Sequence, residues 1–427
     1  MQNIRDLHFR KDIIPLFDSV CNEFSRDTLI QLLSDPLPSI EKIMARQNIL
    51  KGLIEQEHLF FPFFYSPSEF NEVYAYTEEL RARGFLLNGS FLPFIFSRKK
   101  WEREKGRLGH FFIFLRKIEQ AYFARLKAHL FPNDIKEDLE DLVTMLSDLD
   151  IAKNEAIIRK RGFTRTEVSR LAGKLNEKIR TGKLDRFWKA FFLFEAYHSI
   201  ASNIIKHKFN FPEFNKEGIS ITDLYHPLLK HPVKNSITTE KNVTLITGPN
   251  MSGKSTLLKT IGLCIYLAHL GLAVPAGACE LVFFDEISIA IDLNDDLRNG
   301  YSHFMSEIKN LKAVITAASN SKRCFAIFDE LFSRTNAEDA LVISQKTIEG
   351  LTQYQGSYFF ISTHLHQLKD TIVGNERISP YYIECRLEDN TPVFTYKLQK
   401  GWSDLKIGQL IFEQEGLNRM LLPSAIN

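Results

Sequence analysis

The chain has 427 residues, 44% of them hydrophobic and 25% charged, with a net charge of +2. That leaves room for two or three domains with substantial cores, and a charge this small argues neither for nor against a nucleic-acid partner, so local clusters must carry any such case. Five scattered cysteines, Cys21, Cys264, Cys279, Cys324 and Cys385, with no C-x-x-C or His-Cys cluster, exclude a cysteine metal centre and read as reduced thiols of a cytoplasmic protein. The first residues, Met1-Gln2-Asn3-Ile4-Arg5-Asp6, carry charges where a signal peptide needs an apolar run.

From the start to about Asn215 the pattern is helical. Apolar residues recur three and four apart, as in Leu29-Leu32-Leu33 and Leu139-Leu142-Leu146-Leu149. Breaks fall at Pro36-Leu37-Pro38, Phe61-Pro62, Leu92-Pro93 and Phe131-Pro132-Asn133. Two basic clusters stand in this half, Arg98 to Arg107 and Arg159-Lys160-Arg161 with Arg165 nearby. Each reads either as a surface that neutralises DNA phosphates or as a solvated helix face, and Glu102 and Glu104 dilute the first.

From about residue 220 strands alternate with helices, the signature of an α/β domain. The expected strands are Val243–Thr247, Leu281–Phe284, Cys324–Phe328 and Tyr358–Ser362, with Tyr381–Leu387 and Pro392–Leu398 forming an antiparallel hairpin at the sheet edge. Directly after the first strand comes Thr247-Gly248-Pro249-Asn250-Met251-Ser252-Gly253-Lys254-Ser255-Thr256, which contains G-x-x-x-x-G-K-S, followed by a helical run to about Leu270. Strand, glycine loop and helix in this order make a phosphate-binding P-loop. The glycines let backbone N–H groups close around phosphate oxygens, and the helix N-terminus adds partial positive charge. In such a loop Lys254 reaches the β- and γ-phosphates of ATP, and the Ser255 hydroxyl ligates Mg²⁺. The apolar stretch Leu263–Cys279 continues that helix; it holds His269 and is cut by Pro275, so it reads as core and not as a membrane span.

Downstream, Phe325-Ala326-Ile327-Phe328 ends in Asp329-Glu330, the arrangement of a Walker B strand. Asp329 supports Mg²⁺ and Glu330 polarises the attacking water. The next buried strand ends in Thr363-His364, where a histidine can contact the γ-phosphate. Between the two Walker motifs, Asn299-Gly300 makes a turn before a helix start with Ser302, an end able to bind an anion.

The P-loop, the Asp295-Asp296-Leu297 to Met305 segment, Asp329-Glu330 and Thr363-His364 together resemble the ATPase domain of the MutS DNA mismatch-repair family. Tyr225-His226-Pro227-Leu228 is similar to that family's entry into the domain. Leu33-Ser34-Asp35-Pro36-Leu37, with Ile40, Ile43, Arg46 and Gln47, resembles its lever region, and Phe194-Glu195-Ala196-Tyr197-His198 its helix returning from the clamp. The resemblance covers residues 220 to about 412 and the two lever segments. It implies a helical lever and shortened clamp over 1–219 and an α/β P-loop NTPase domain of ABC type over 220–427. No segment resembles the family's mismatch-recognition and connector domains. Ser252 stands where a glycine is common, His303 where a threonine is usual, and Phe332-Ser333-Arg334-Thr335-Asn336 replaces a glycine-rich run.

The resemblance further implies a homodimer whose ATPase domains pair head to tail around two nucleotides. Gly300 and Ser302 would serve the partner's ATP; Lys254, Ser255, Asp329, Glu330 and His364 would serve their own. Asn250 matches a loop position that faces nucleotide, and Val233 lines the adenine pocket. The expected protein is a cytoplasmic, DNA-modulated ATPase that grips mismatched or branched double-stranded DNA through its backbone, with no membrane contact. The alternatives are an ATP-regulated dimerising scaffold that never grips DNA and a transporter-type ATPase subunit. Against the latter stand the helical first half and the Asp-Asp-Leu to Phe-Met segment.

Overall fold

The computed structural model describes residues 4, 7–56, 65–84, 98–124, 126–127, 131–160, 163–239, 241–291, 303–332, 335–372, 374–388, 391–403, 407–415 and 417–421. The chain forms two compact units. One comprises Met1–Ile14, Pro36–Ile43 and His207–Asn427; the other comprises Pro15–Asp35 and Met44–Lys206.

The second unit is built from helices, among them Glu23–Leu32, Pro67–Gly84, Arg98–Ile118, Asn133–Asp148, Arg165–Arg180 and Lys183–His207, the last of which ends just past the unit. Its core is aromatic. Phe24 stacks on Phe192 at 5.2 Å, and Trp188 meets Phe70 edge to face at 5.7 Å. Such pairs add directional attraction to the burial of large rings. Asn22 caps the helix Glu23–Leu32 by accepting from Ser25 N–H, and Thr164 with Glu167 forms a capping box at Arg165–Arg180.

The first unit is α/β, and it reaches back past residue 220. Its strands are β1 (Glu213–Phe214), β2 (Ile219–Leu224), β3 (Asn235–Thr239), β4 (Val243–Thr247), β5 (Ala278–Leu281), β6 (Glu286–Ala290), β7 (Cys324–Phe328), β8 (Tyr358–Ser362), β9 (Ile378–Glu388) and β10 (Thr391–Lys400). They make a four-stranded sheet in the order β1-β5-β2-β3 and a six-stranded sheet in the order β10-β9-β4-β8-β7-β6. In the larger sheet β9, β4, β8, β7 and β6 run parallel, and β10 closes the edge antiparallel to β9.

Every residue of β4, β7 and β8 is buried, as strands covered on both faces require. On one face Val243, Leu245, Ala326, Phe328, Phe359 and Ile361 pack with Leu311 and Val314 of the helix His303–Ser319 and with Ala340 and Ile348 of Ala337–Leu351. The other face takes the helix Lys254–His269. A Cβ on Gly262 would lie 2.9 Å from Ile289 Cδ1 and 3.0 Å from Ile327 Cδ1, so only glycine lets this helix approach so closely. The stretch from Leu263 is thus core. No helix among the described residues is long and apolar enough to cross a membrane.

One expected strand moves. Leu281–Phe284 is not a strand: β5 ends at Leu281, and the Phe284 N–H donates to the His269 ring instead of a neighbouring strand. The strand that joins the large sheet is Glu286–Ala290. Helix also gives way before Asn215, at His207, because Asn210 bridges Val274 and β1 pairs with β5.

Candidate nucleotide site

Three loops meet at the carboxyl ends of adjacent parallel strands, the place where open α/β sheets bind ligands. After β4 comes Gly248–Gly253, after β8 Thr363-His364, and after β7 Asp329-Glu330. The first loop needs its glycines. Gly248 has φ 141° and Gly253 φ 98°, and a Cβ on Gly248 would lie 3.1 Å from Ser252 Oγ and 3.2 Å from the Ile383 carbonyl oxygen. Met251 also takes a left-handed backbone, with φ 69°, and is exposed at the loop tip.

Lys254 opens the helix and is buried. Its Nζ donates to the carbonyls of Gly248 at 2.9 Å and Pro249 at 3.1 Å. It stands 3.9 Å from Glu330 Oε1, a Coulombic contact too long for a hydrogen bond. Burial pushes the Lys254 ammonium below its ordinary range, and Glu330 and Asp329 oppose that shift. Ser252 is fully buried, yet its Oγ has no hydrogen-bond partner among the described residues. Ser255 and Thr256 are exposed on the first helical turn beside it, and Pro249 and Asn250 complete the loop.

The second carboxylate loop is held tightly. Ser362 Oγ donates to Asp329 Oδ1 and accepts from the Glu330 N–H at 2.8 Å. Glu330 sits at φ 51° and Phe332 at φ 60°. Left-handed backbone costs a non-glycine residue roughly 1–2 kcal/mol. Thr363 N–H donates to the Ile246 carbonyl at 3.2 Å, tying the end of β8 to β4, and His364 is exposed immediately after it. Gly300 and Ser302 lie outside the described residues, as do Asp295 and Asp296; the helix they precede begins at His303.

A cavity of about 300 Å³ opens beside the loop. Tyr225, His226, Val233, Asn235, Gly253, Thr256 and Tyr396 are among its walls. Val233 thus lines the same cavity as Gly253 and Thr256 of the loop. Burial, reinforced by Lys259, holds His226 below its usual range, which keeps the imidazole neutral in this wall at pH 7. Asn235 and Tyr396 are wall residues that sequence reading missed. Nothing in their strand-like surroundings separates them from ordinary edge-strand positions.

The orphaned Ser252 hydroxyl, the glycine cradle and the paired Lys254 and Glu330 fit a triphosphate with its metal: donors line one side and carboxylates the other. In the helical unit the basic clusters are partly engaged. Arg107 forks onto Glu79 at 2.7 and 3.0 Å, Arg159 pairs with Glu155, and Arg165 lies over Trp101 at 5.6 Å. Arg98, Lys99 and Arg103 are exposed, and Arg161 lies outside the described residues.

Residues 244–426 match the MutS domain V family. The chain is 27% identical over 319 residues to the DNA mismatch repair protein MutS of Alkaliphilus oremlandii, spanning 72% of this chain and 34% of that protein. It is 29% identical over 273 residues to the protein of the same name from Bacillus subtilis, which spans 61% of this chain and 31% of that one. With the Streptococcus sanguinis protein of that name it shares 33% identity over 186 residues, 44% of this chain and 22% of the relative. The chain thus spans about a third or less of the length of these relatives. The likeness to the MutS family thus rests on the C-terminal part of the chain, where the domain V match lies.

Proposed function

We propose that the chain binds ATP with Mg²⁺, hydrolyses it, and uses nucleotide occupancy to switch its grip on DNA. The observation that carries this reading is the meeting of Lys254 and Glu330 across the ends of β4 and β7, with an unsatisfied hydroxyl in the loop between glycines. On this reading the large sheet is an ABC-type P-loop domain over 220–427, preceded by a helical lever and shortened clamp over 1–219.

Gly248–Thr256 would hold the phosphates, with Ser255 and Asp329 on the metal. Val233 and Tyr396 wall a cavity of a size and apolar character suited to the base. Bound Mg·ATP supplies the scissile phosphoanhydride and the charge of the metal. Glu330 takes a proton from the attacking water, and its left-handed backbone and the Ser362 bond aim it. Lys254 exchanges its two carbonyl bonds for phosphate oxygens, neutralising charge where it develops. His364 sits at the same edge to contact the terminal phosphate. Gly300 and Ser302 serve the nucleotide of a second copy, so that ATP seals a homodimer. Double-stranded DNA, mismatched or branched, is held through its phosphates. The relatives' printed name, DNA mismatch repair protein, supports placing this activity in DNA repair.

ATP turnover tests it. Lys254→Ala should abolish binding or turnover, a loss of about 10² to 10³ or more in rate. Glu330→Ala should keep ATP yet hydrolyse it about 10² to 10⁴ times more slowly. Wild-type turnover in the Lys254 variant would refute the site. A steep fall in duplex-DNA affinity with added salt supports the clamp, and absence of any DNA binding favours a scaffold.

A further inference from the structure

Strand β10 does not run evenly beside β9. Its register shifts between Phe394 and Leu398, and within the shift Tyr396 has φ 57°. A tyrosine in left-handed backbone is strained, and such a conformation persists only where the surroundings over-determine it. One side chain from β3 supplies the hold. Asn235 Nδ2 donates to the Tyr396 carbonyl at 3.0 Å, and Asn235 Oδ1 accepts from the Leu398 N–H at 2.8 Å. A primary amide is suited to this, since it offers a donor and an acceptor a fixed distance apart. Lys397 Nζ adds a bond to the Lys234 carbonyl at 3.0 Å, on the residue just before Asn235.

The consequence reaches the P-loop. The bulge lays the Tyr396 ring against the loop, so that a Cβ on Gly253 would lie 3.3 Å from Tyr396 Cδ1. The same ring, Val233 and Asn235 line the cavity beside that loop. Phe394, two residues earlier on the same strand, stacks on that ring at 6.3 Å and flanks it from the other end of the shift.

We infer that Asn235 is a positioning residue for the base of the bound nucleotide: it fixes the left-handed bulge that presents Tyr396 as one wall of the base cavity. This rests on the reading of Gly248–Thr256 as the phosphate cradle. Asn235 acts through Tyr396 and not on the phosphates, which gives it a signature that general damage would not share.

The test uses the full chain and measures the dissociation constants of ATP and of inorganic tripolyphosphate, which has no base. Tyr396→Ala, Asn235→Ala and Asn235→Asp should each weaken ATP about tenfold, the scale of one base–aromatic contact. Neither alanine variant should weaken tripolyphosphate, and Asn235→Asp should weaken ATP more than tripolyphosphate. The double variant Asn235→Ala/Tyr396→Ala should bind ATP no more weakly than Tyr396→Ala alone. Losses that multiply in the double variant overturn the inference, as do equal losses for ATP and tripolyphosphate. Loss in Tyr396→Ala with none in the Asn235 variants overturns it while sparing the cavity. Wild-type ATP affinity in Tyr396→Ala with tripolyphosphate still bound takes down the base cavity, and the inference with it. Should Asn235→Ala fail to fold, Asn235→Asp carries the same comparison: it keeps the size and the acceptor and loses the donor, and its added negative charge acts on ATP and tripolyphosphate alike, so the ratio of the two constants still reports on the base.

Discussion

Each unit withdraws a charged side chain from water, and the two are satisfied in different ways. In the helical unit, buried Glu195 accepts from the Cys21 N–H at 2.6 Å, Asn22 Nδ2 at 2.5 Å, Ser25 Oγ at 2.7 Å and Tyr65 OH at 2.6 Å. Burial raises its carboxyl above the usual range, and those four donors pull the other way. In the α/β unit, Lys254 leans on two carbonyls of its own loop, and the Ser252 hydroxyl beside it has no partner among the described residues. A buried polar group costs free energy unless its bonds are made, so a complete set marks a structural joint. The incomplete set beside the glycine cradle is the one that the proposed nucleotide would complete.

The contrast breaks most sharply at Glu195. Glu195→Ala should cost about 3 kcal/mol or more of stability, because it strands several buried donors at once. Thermal or urea unfolding reads this directly. Glu195→Gln keeps an acceptor and should recover part of the loss. An alanine variant as stable as the wild type would mean that the donors find other partners, and the complete set would then be no joint at all.

A second complete site lies within the α/β unit, which separates the contrast from mere location. His269 Nδ1 donates to the Ile265 carbonyl at 2.8 Å, and Nε2 accepts from the Phe284 N–H at 2.9 Å. A proton on Nε2 would face another donor. Burial therefore holds this imidazole at about 4, below the ordinary 6.5. The unfolded chain takes up the proton first as pH falls. Stability from this residue is fully present above about 6.5 and is lost progressively toward 4, a total of about 3 kcal/mol. Urea midpoints measured between pH 7 and 4.5 check the slope. A His269→Gln chain should lose that part of the slope, and an unchanged slope would remove His269 from the account.

These joints were nearly invisible in the sequence, whereas much of the sheet was not. β4, β7 and β8 are short runs of β-branched, aromatic and apolar residues, and their bounds follow from that pattern. The edge hairpin β9–β10 was legible from its turn residues, as was the order of loop, carboxylates and Thr363-His364. β6 was not, because Glu286-Ile287-Ser288-Ile289-Ala290 has no such run, and Leu281–Phe284 looked the better strand until His269 claimed the Phe284 amide. The bulge at Tyr396 leaves no trace in composition, since it depends on a side chain 161 residues away. Glu195 read as part of a returning helix, but its donors come from Cys21, Asn22, Ser25 and Tyr65, which no local period links.

The smallest expected effect is the most specific to the contrast. Ser252→Ala removes a buried hydroxyl that makes no bond within the described chain, so stability should hold or rise by up to about 1 kcal/mol. Position 252 is not among the left-handed residues of the loop, so alanine adopts its backbone without strain. ATP affinity should fall by about three- to tenfold, the net worth of one hydrogen bond to a charged oxygen. Opposite signs for stability and affinity are the mark of a group kept for a ligand. A variant that loses more than about 1 kcal/mol of stability and binds ATP as before would place the Ser252 hydroxyl with Glu195, among the groups that hold the fold together.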